Sequence, residues 1–284
     1  MKKLLSTLLL AAPLLFNTAY ADDKPANMVM KMATTTSTDN SGLLNELLPE
    51  FEKDTGYSVQ VIAVGTGKAL KMGEDGDVDV VLVHAPAAEE KFVESGFGTK
   101  RHPVMYNDFI ILGPDSDPAG LKDAESAADG LKKVAETESI FVSRGDDSGT
   151  HKKEKALWEA AGIKPEGEWY REAGQGMGKV IQMAGELEAY TLADRGTWLA
   201  SMDKSPLKVV LEGDEVLFNP YGIIAVSPER YPDINNAGAE ALIQWITSAK
   251  GQQLIGEFKV ADQQLFVPSA ETTEAATSEA AAAQ

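Results

Sequence analysis

The sequence predicts an α/β fold, in which a mainly parallel β-sheet is covered by helices. Three observations support this. Apolar runs of strand length recur along the chain, amphipathic stretches with helical spacing follow many of them, and segments rich in hydroxyls and glycines join the two. Hydrophobic residues make up 43% of the chain and charged residues 25%, near the averages of folded soluble proteins.

The strand-like and helix-like stretches can be placed in chain order. A first strand at 29–34 is followed by leucines and a phenylalanine with helical spacing from residue 43, and this pattern stops at Gly56. The run at 78–83 is dominated by valine and leucine, which is typical of a strand buried on both faces. Further predicted strands are 57–64, 109–112, 140–142, 207–211 and 221–226, and further predicted helices are 152–161 and 177–188.

The length of 284 residues indicates one large or two modest domains. We find no internal repeat and no glycine-serine linker, so two domains would have to be joined by ordinary strands. The turn-rich stretches at 102–108 and 212–219 are the candidate crossings, and they would place both ends of the chain on one lobe. We therefore expect a discontinuous first lobe at 28–105 and 215–268 and a second lobe at 106–214.

The first 21 residues have the features of a secretory signal peptide. Two lysines at positions 2 and 3 precede an apolar run at 4–16, and a small-x-small sequence ends at Ala21. The run is too short to span a bilayer, and no later run reaches the roughly 20 apolar residues of a transmembrane helix. We expect cleavage near Ala21, a location in the periplasm and no stable membrane insertion.

Charge and cysteine content exclude several classes of partner and site. The net charge of −18 argues against binding to nucleic acid or to an anionic membrane surface. The absence of cysteine excludes disulfides, thiolate nucleophiles, zinc-thiolate sites and a lipid-bearing cysteine.

Residues 269–284 contain no aromatic or large aliphatic side chain, so we expect a solvated tail there.

Three junctions between predicted strands and helices combine hydroxyls with glycines, at 34–42, 65–68 and 143–151. In open α/β sheets, ligands bind beyond the carboxyl ends of strands, where helix N-termini present free N–H groups. Serine and threonine hydroxyls add donors without charge, and Arg144 offers a fixed fork of donors to an oxyanion. The sequence therefore predicts a site for a small anion, with no metal cation as a direct ligand.

Each junction also has an ordinary structural interpretation. The hydroxyls can act as helix N-caps, and the segment at 65–67 can form a simple turn. Arg144 can pair with Asp146 or Asp147 instead of a ligand. The segment at 190–194 can likewise be the cap of a helix.

Other motifs do not lead to a catalytic site. The glycine-rich segment at 174–179 lacks the hydroxyl that a phosphate loop places after its lysine to hold magnesium. Ser148 and His151 lack the strand-to-elbow context of a hydrolase. The three histidines form no zinc-ligand spacing, and we expect His84 and His102 to be structural or exposed. We therefore expect that the protein is not an enzyme.

Two of these segments carry a resemblance to a known family. The TTTS motif at 34–37, which continues as STDNSGLL, and the segment SRGDDSGTH at 143–151 resemble the tungstate-binding proteins of bacterial ABC transporters. The similarity extends over about residues 28–268. It implies a two-lobed periplasmic binding protein of type II, joined by two crossing strands, with tungstate or molybdate as ligand and no cofactor. It also implies an ABC permease in the inner membrane as partner, and we expect a monomer.

The resemblance also assigns donors to the anion, with Arg144 as the main charged ligand. Alternates are needed because neighbouring strand residues point to opposite faces and their phase is open. The assigned residues are Thr35, Ser37, Arg144 and Thr150, with Thr36 and Ser148 as alternates and Gly65, Thr66, Gly67 and Gly149 as further donors.

A phosphate receptor of similar architecture is the nearest alternative. Phosphate keeps a proton at neutral pH, so its receptor benefits from a carboxylate acceptor, whereas fully deprotonated tungstate or molybdate is repelled by one. Asp39, Asp146 and Asp147 keep this alternative open. Less favoured alternatives are a secreted hydrolase and a sensory receptor that hands its ligand-bound form to a signalling protein. Size does not separate tungstate from molybdate, since both are tetrahedral dianions of nearly equal size, and the family resemblance favours tungstate.

Overall fold

A computed structural model describes residues 28–270 of the chain. The expected signal peptide at 1–21 and all but the first two residues of the expected tail at 269–284 lie outside the described residues. Within the described range, no helix is both long enough and apolar enough to cross a membrane.

The predicted alternation of strands and helices is confirmed over this range. The strands are Val29–Thr35 (β1), Ser58–Val64 (β2), Val80–Val83 (β3), His102–Gly113 (β4), Phe141–Ser143 (β5), Tyr170–Glu172 (β6), Thr191–Asp194 (β7), Lys208–Leu211 (β8), Phe218–Ala225 (β9), Lys259–Val260 (β10), Gln263–Gln264 (β11) and Val267–Pro268 (β12). The helices are Thr36–Asn40 (α1), Leu43–Thr55 (α2), Thr66–Glu74 (α3), Pro86–Glu94 (α4), Ala127–Glu136 (α5), Gly149–Ala160 (α6), Met177–Glu186 (α7), Arg195–Leu199 (α8), Asn236–Ile246 (α9) and Ala249–Glu257 (α10).

The predicted α/β fold class is confirmed, but the main sheet is mixed rather than mainly parallel. β1 lies between β2 and β3 and is parallel to both, whereas β9 is antiparallel to β3 and β4. The strand order is β12-β4-β9-β3-β1-β2, and β7 and β8 pair with β4 in antiparallel fashion. Parallel neighbours need a crossover that returns to the same end of the sheet. β9 runs in the opposite direction to both of its neighbours, β3 and β4, so it pairs with them without such a crossover.

β4 changes its partners halfway along its length. Residues 102–108 pair with β9, and residues 109–113 pair with β7 and β8. We call β1, β2, β3, β9 and residues 102–108 the first sheet region, and β5 to β8 with residues 109–113 the second sheet region. The stretch at 102–108 is a continuous strand rather than a turn, because its ladder with β9 outweighs the turn preference of its asparagine and aspartate.

Apolar side chains at helical spacing hold the helices on the sheet. In α2, Leu43, Leu47 and Phe51 are buried, and each such side chain contributes about 1.5–3 kcal/mol relative to leaving it exposed. The helix ends at Gly56, whose φ of 78° is in the left-handed region that favours glycine. One apolar cluster contains residues of both sheet regions, so the two regions share a continuous core.

The chain remains packed slightly beyond the point where the sequence predicted a solvated tail. The backbone N–H of Ser269 donates to the Val104 oxygen at 3.1 Å, and that of Ala270 donates to Gln252 Oε1 at 2.9 Å. The expectation was therefore wrong for these two residues. Backbone hydrogen bonds hold them without any need for apolar side chains.

Candidate functional site

The carboxyl ends of strands from both sheet regions point toward one place in β4. This place lies between residues 108 and 109, where β4 changes its partners, and we call it the crossing. In the first region, Val83 at the end of β3 lies opposite Gly222 of β9. Gly222 is near the start of β9, and β9 begins at Phe218, opposite Asp108. In the second region, Asp194 at the end of β7 lies opposite Phe109 of β4. β1 is parallel to β3, and β5 is parallel to the chain entering β7. The junctions that follow β1 and β5 therefore approach the crossing from its two sides.

Thr34 and Thr35 at the end of β1 have different partners. The buried Thr34 hydroxyl donates to the Leu82 backbone oxygen at 2.7 Å, which ties β1 to β3. Thr35 is the N-cap of α1, and its Oγ1 accepts from the backbone N–H of Thr38 at 3.2 Å. The capping interpretation is thus confirmed for Thr35. Its hydroxyl also lies 3.0 Å from Ser37 Oγ, so two of the assigned hydroxyls are together.

The other assigned residues of the first sheet region lie at the starts of α1 and α3. Thr36 and Ser37 are exposed. Thr66, the first residue of α3, is half-buried, and its neighbours Gly65 and Gly67 are exposed. No side-chain hydrogen bond holds the cap of α3. Its N-terminal N–H groups are therefore not satisfied by a capping side chain.

His84 connects Ser37 to the crossing strands, and this role was not predicted. Its Nε2 lies 3.3 Å from Ser37 Oγ, and its Nδ1 lies 3.1 Å from Asn219 Oδ1. Asn219 Nδ2 in turn donates to Asn107 Oδ1 at 2.8 Å, across the β4–β9 pairing. Burial lowers the pKa of His84, opposed in part by its hydrogen bond to Asn219. The position of His84 directly after a buried parallel strand was the signal that could have identified it.

In the second sheet region, Arg144 pairs with Asp146, as one of the sequence alternatives proposed. Arg144 Nε lies 3.2 Å from Asp146 Oδ2, and Nη2 also donates to that oxygen. The other oxygen of Asp146 accepts from the backbone N–H of Ser148 at 3.2 Å. Burial opposes ionisation of Asp146, but hydrogen bonds from Ser148 and Arg144 outweigh it and lower the pKa to about 2. The pair fixes the Arg144 side chain while Nη1 makes no bond within residues 28–270.

The start of α6 carries the remaining assigned residues. Ser148 is the N-cap, and its Oγ accepts from the backbone N–H of His151 at 3.3 Å. Gly149 is exposed, and Thr150 is 8% exposed. Among the hydrogen bonds of residues 28–270, none involves the Thr150 hydroxyl. Ser148 is thus occupied as a cap, whereas Thr150 keeps a donor for another partner.

A buried carboxylate supports this junction from beneath. Glu154 of α6 accepts from the hydroxyl of Ser143 at 2.8 Å, from the Trp158 ring N–H at 3.2 Å and from the Tyr170 hydroxyl at 2.7 Å. The Ser143 oxygen accepts in turn from the backbone N–H of Gly145 at 3.3 Å. Burial raises the pKa of Glu154, although these donors oppose it. The network holds the backbone on both sides of Arg144.

Asp147 and Asp39 do not share the position of Asp146. Asp147 is exposed, and its carboxylate pairs with Lys155 at 3.2 Å and Lys152 at 3.6 Å. Asp39 is an exposed residue of the short helix α1. Asp146 is therefore the carboxylate that lies beside the main cationic group of the candidate site.

Arg195 is a second arginine at the crossing, and the sequence reasoning missed it. Its guanidinium donates to both oxygens of Asp108, at 2.6 and 2.7 Å, and to Glu212 at 2.5 Å. These contacts raise the pKa of Arg195. The capping interpretation of 190–194 is confirmed, since Asp194 accepts from the Thr197 N–H at 2.8 Å. Arg195 ties the second region to both crossing segments.

Certain glycines have no local structural reason to be glycine. A Cβ atom added to any of them would meet nothing within 4 Å, and none has a positive φ. Within the described part of the chain, all of them lie at the starts of α3, α6 and α7. These glycines are Gly65, Gly67, Gly149, Gly176 and Gly178.

Comparisons with known proteins identify the superfamily to which this fold belongs. A model of the PBP superfamily domain matches residues 21–250, so the fold is that of a PBP superfamily protein. The tungstate-binding protein TupA of Peptoclostridium acidaminophilum is 50% identical, over 95% of this chain and 99% of the relative.

Solved structures agree with this relative. The tungstate-binding protein TupA from Desulfovibrio alaskensis G20 is 51% identical with a TM-score of 0.82, over 86% of this chain and 99% of that one. The tungstate ABC transporter protein from Geobacter sulfurreducens is 55% identical with a TM-score of 0.69, over 81% and 98%. This chain belongs to the family of the tungstate-binding protein TupA.

Proposed function

We propose that this protein is a periplasmic receptor that captures tungstate, or the nearly isosteric molybdate, and delivers it to an ABC permease. The observation that carries the proposal is the placement of the junctions after β1 and β5 on the two sides of the crossing. The 50% identity to a tungstate-binding relative selects the anion. Cleavage near Ala21 would release the soluble receptor, which we propose acts as a monomer.

The proposal treats the two sheet regions as the cores of two lobes. The first lobe would comprise residues 28–105 and 215–268, and the second residues 106–214. The change of partners between residues 108 and 109 of β4 supports a boundary close to residue 106. An anion between the lobes would stabilise the closed arrangement through contacts that the open one lacks.

Uncharged donors and one guanidinium would hold the anion. Thr35, Ser37 and Thr150 supply hydroxyls, and Arg144 supplies the charge. Nanomolar affinity corresponds to about 12 kcal/mol, and a charge-assisted hydrogen bond contributes roughly 1.5–3 kcal/mol, so about half a dozen donors are required. The hydroxyls, the guanidinium and the free N–H groups at the start of α3 supply that number. Capture of the anion needs hydrogen bonds and no covalent step, so we propose a binding protein and no enzyme activity.

The carboxylates of the site favour tungstate over phosphate. Both oxygens of Asp146 are occupied by Arg144 and the Ser148 N–H, and Asp147 pairs with lysines. These bonds compete with the acceptance of the proton of hydrogen phosphate by either carboxylate. Tungstate carries no proton and needs only donors, which suits the remaining groups.

One observation favours a hydrolase as the second candidate. Ser37, His84 and Asn219 are connected as nucleophile, base and orienting residue, at 3.3 and 3.1 Å. The sequence did not predict this set. A screen with generic ester and phosphoester substrates tests this candidate. We expect no turnover. Turnover that is lost in Ser37→Ala would support the hydrolase.

The decisive experiment is a titration calorimetry panel with tungstate, molybdate, sulfate and phosphate. We expect tungstate and molybdate to bind and the other two to bind far more weakly. Arg144→Ala should weaken tungstate binding by about 2 kcal/mol or more, since it removes a charge-assisted donor pair. Arg171→Ala is the control, because Arg171 is exposed and its Nε donates only to a backbone oxygen. Tight phosphate binding, or an unchanged affinity of Arg144→Ala, contradicts the proposal.

A further inference from the structure

His84 lies between the junction at 34–42, which contains Ser37, and the paired strands β4 and β9. Its two ring nitrogens face Ser37 Oγ at 3.3 Å and Asn219 Oδ1 at 3.1 Å. Its ring also packs on Tyr221 of β9, with centroids 4.8 Å apart. These contacts fix the orientation of the ring. A change of protonation therefore alters the direction of the hydrogen bonds and leaves the partners of the two nitrogens the same.

The hydrogen-bond directions around His84 follow from its partners. Asn219 uses its Nδ2 to donate to Asn107, so its Oδ1 faces His84 and can only accept. His84 Nδ1 must therefore carry a proton. In the neutral ring Nε2 then has only a lone pair, and the hydroxyl of Ser37 must donate to it.

This direction has a consequence for anion binding. The hydroxyl proton of Ser37 is committed to His84 while the ring is neutral, so Ser37 can offer only lone pairs to an approaching oxyanion. Tungstate has no proton and repels lone pairs. When Nε2 is protonated, it donates to Ser37 Oγ, and the hydroxyl proton of Ser37 is released toward the anion. The bond from Nδ1 to Asn219 stays intact in both states.

We infer that His84 is a proton-linked positioning residue of the anion site, which takes up one proton as the anion binds and thereby turns the Ser37 hydroxyl into a donor to the ligand. The inference rests on the proposed function. It assigns to His84 no contact with the anion and no catalytic step.

Among residues 28–270, no unpaired charged side chain contacts His84 to hold the proton in the absence of a ligand. Tyr221 is the titratable side chain that faces it from β9, and α1 presents the uncharged Ser37. Glu89 on the following helix is engaged with Arg101 at 2.6 Å. Burial lowers the pKa of His84 from 6.5, so the free protein holds the ring neutral at neutral pH. A bound dianion nearby raises that pKa again, and the proton is taken up.

The affinity for the anion increases as pH falls between the higher pKa of His84 in the complex and its lower pKa in the free protein. The change approaches about tenfold per pH unit where one full proton is taken up. Above both pKa values the affinity no longer depends on His84.

Calorimetry in buffers of different ionisation enthalpy measures the proton uptake directly. We expect the wild-type protein to take up protons when it binds tungstate near pH 7, just above the lowered pKa of His84 in the free protein. His84→Gln should bind tungstate without this uptake, because the amide N–H₂ donates permanently to Ser37 and does not titrate. His102→Gln is the matched control, since His102 lies at the start of β4 and should leave the uptake unchanged.

A second measurement reads the protonation state of His84 in the wild-type protein. The chain has 3 histidines, so nitrogen NMR spectra of their rings can be assigned by substitution. Tungstate should convert His84 from the Nδ1–H form to the doubly protonated form.

Three outcomes are distinguishable. Proton uptake that His84→Gln abolishes, with the NMR change at His84, supports the inference. Tungstate binding without proton uptake, or with the same uptake in His84→Gln, overturns the inference and leaves the proposed function in place. No tungstate binding by the wild-type protein contradicts the proposed function and removes the inference with it.

Discussion

Glu154 shows how a single buried residue can hold the backbone of a strand-to-helix junction, here the one at 143–151. Its three donors come from Ser143, Trp158 and Tyr170, and Ser143 also binds the backbone N–H of Gly145. Removing the carboxylate would leave these groups without partners. Each unsatisfied buried polar group costs about 1–3 kcal/mol.

We therefore expect Glu154→Ala to lower the free energy of unfolding by about 3 kcal/mol or more. Urea denaturation measures this change. Glu159→Ala is the matched control, because Glu159 is an exposed glutamate of the same helix and should change stability by no more than about 0.5 kcal/mol. Equal effects of the two substitutions would show that the Glu154 network does not stabilise the fold.

Residue types could be predicted from the sequence better than their orientation. The hydroxyls after β1 were recognised, but Thr34 turns toward Leu82 and Thr35 caps α1, which no spacing distinguishes. The pairing of Arg144 with Asp146 was one of several open alternatives. His84 was missed because its partner Asn219 is distant in the chain, and only the pairing of β3 with β9 brings the two together.

At the scale of elements, the starts of α3 and α6 carry glycines that neither packing nor a positive φ requires. Glycine in a helix is less favourable than alanine by roughly 0.5–1 kcal/mol, so its presence there needs another reason. Open space in front of a helix N-terminus allows a ligand to approach the backbone N–H groups closely.

We expect Gly67→Ala and Gly149→Ala to keep or slightly raise the thermal stability, by up to about 1 kcal/mol, because each Cβ meets open space. The same substitutions should weaken tungstate binding, since the methyl groups occupy the ligand's approach. Thermal unfolding and calorimetry on the same samples separate the two effects. A variant that is equally stable and binds tungstate as tightly as the wild type would place that helix start outside the site.

Elements with local patterns were predicted well, and those that depend on distant partners were not. The leucine spacing of α2 and the valine-rich β3 are determined by side chains close in sequence, and both are confirmed. The first half of β4 contains turn-forming residues, and it is a strand because β9 pairs with it. The direction of β4 and β9, and hence the mixed sheet, depends on pairings across more than a hundred residues, which no local pattern contains.

At the scale of the whole molecule, β4 and the segment leading to β9 are the two places within residues 28–270 where the chain passes between the sheet regions. Arg195 binds Asp108 on the first and Glu212 on the second. A rotation of one region against the other would therefore pivot close to this arginine. The junctions after β1 and β5 lie beyond the strand ends on either side of the same crossing, so a small rotation there would change the gap between them.

This arrangement predicts that tungstate makes the molecule more compact. Small-angle X-ray scattering of the ligand-free protein should give a radius of gyration of at least about 18 Å, the value for a compact chain of this length. Saturating tungstate should decrease it without a change in molecular mass, because the anion draws the two junctions together. Arg144→Ala should show no decrease at the tungstate concentration that saturates the wild type, and Arg171→Ala should behave as the wild type does. Binding by the wild type with no change in the scattering curve would mean that the anion enters an already closed molecule, and the two-lobe closure would be wrong even though the receptor function held.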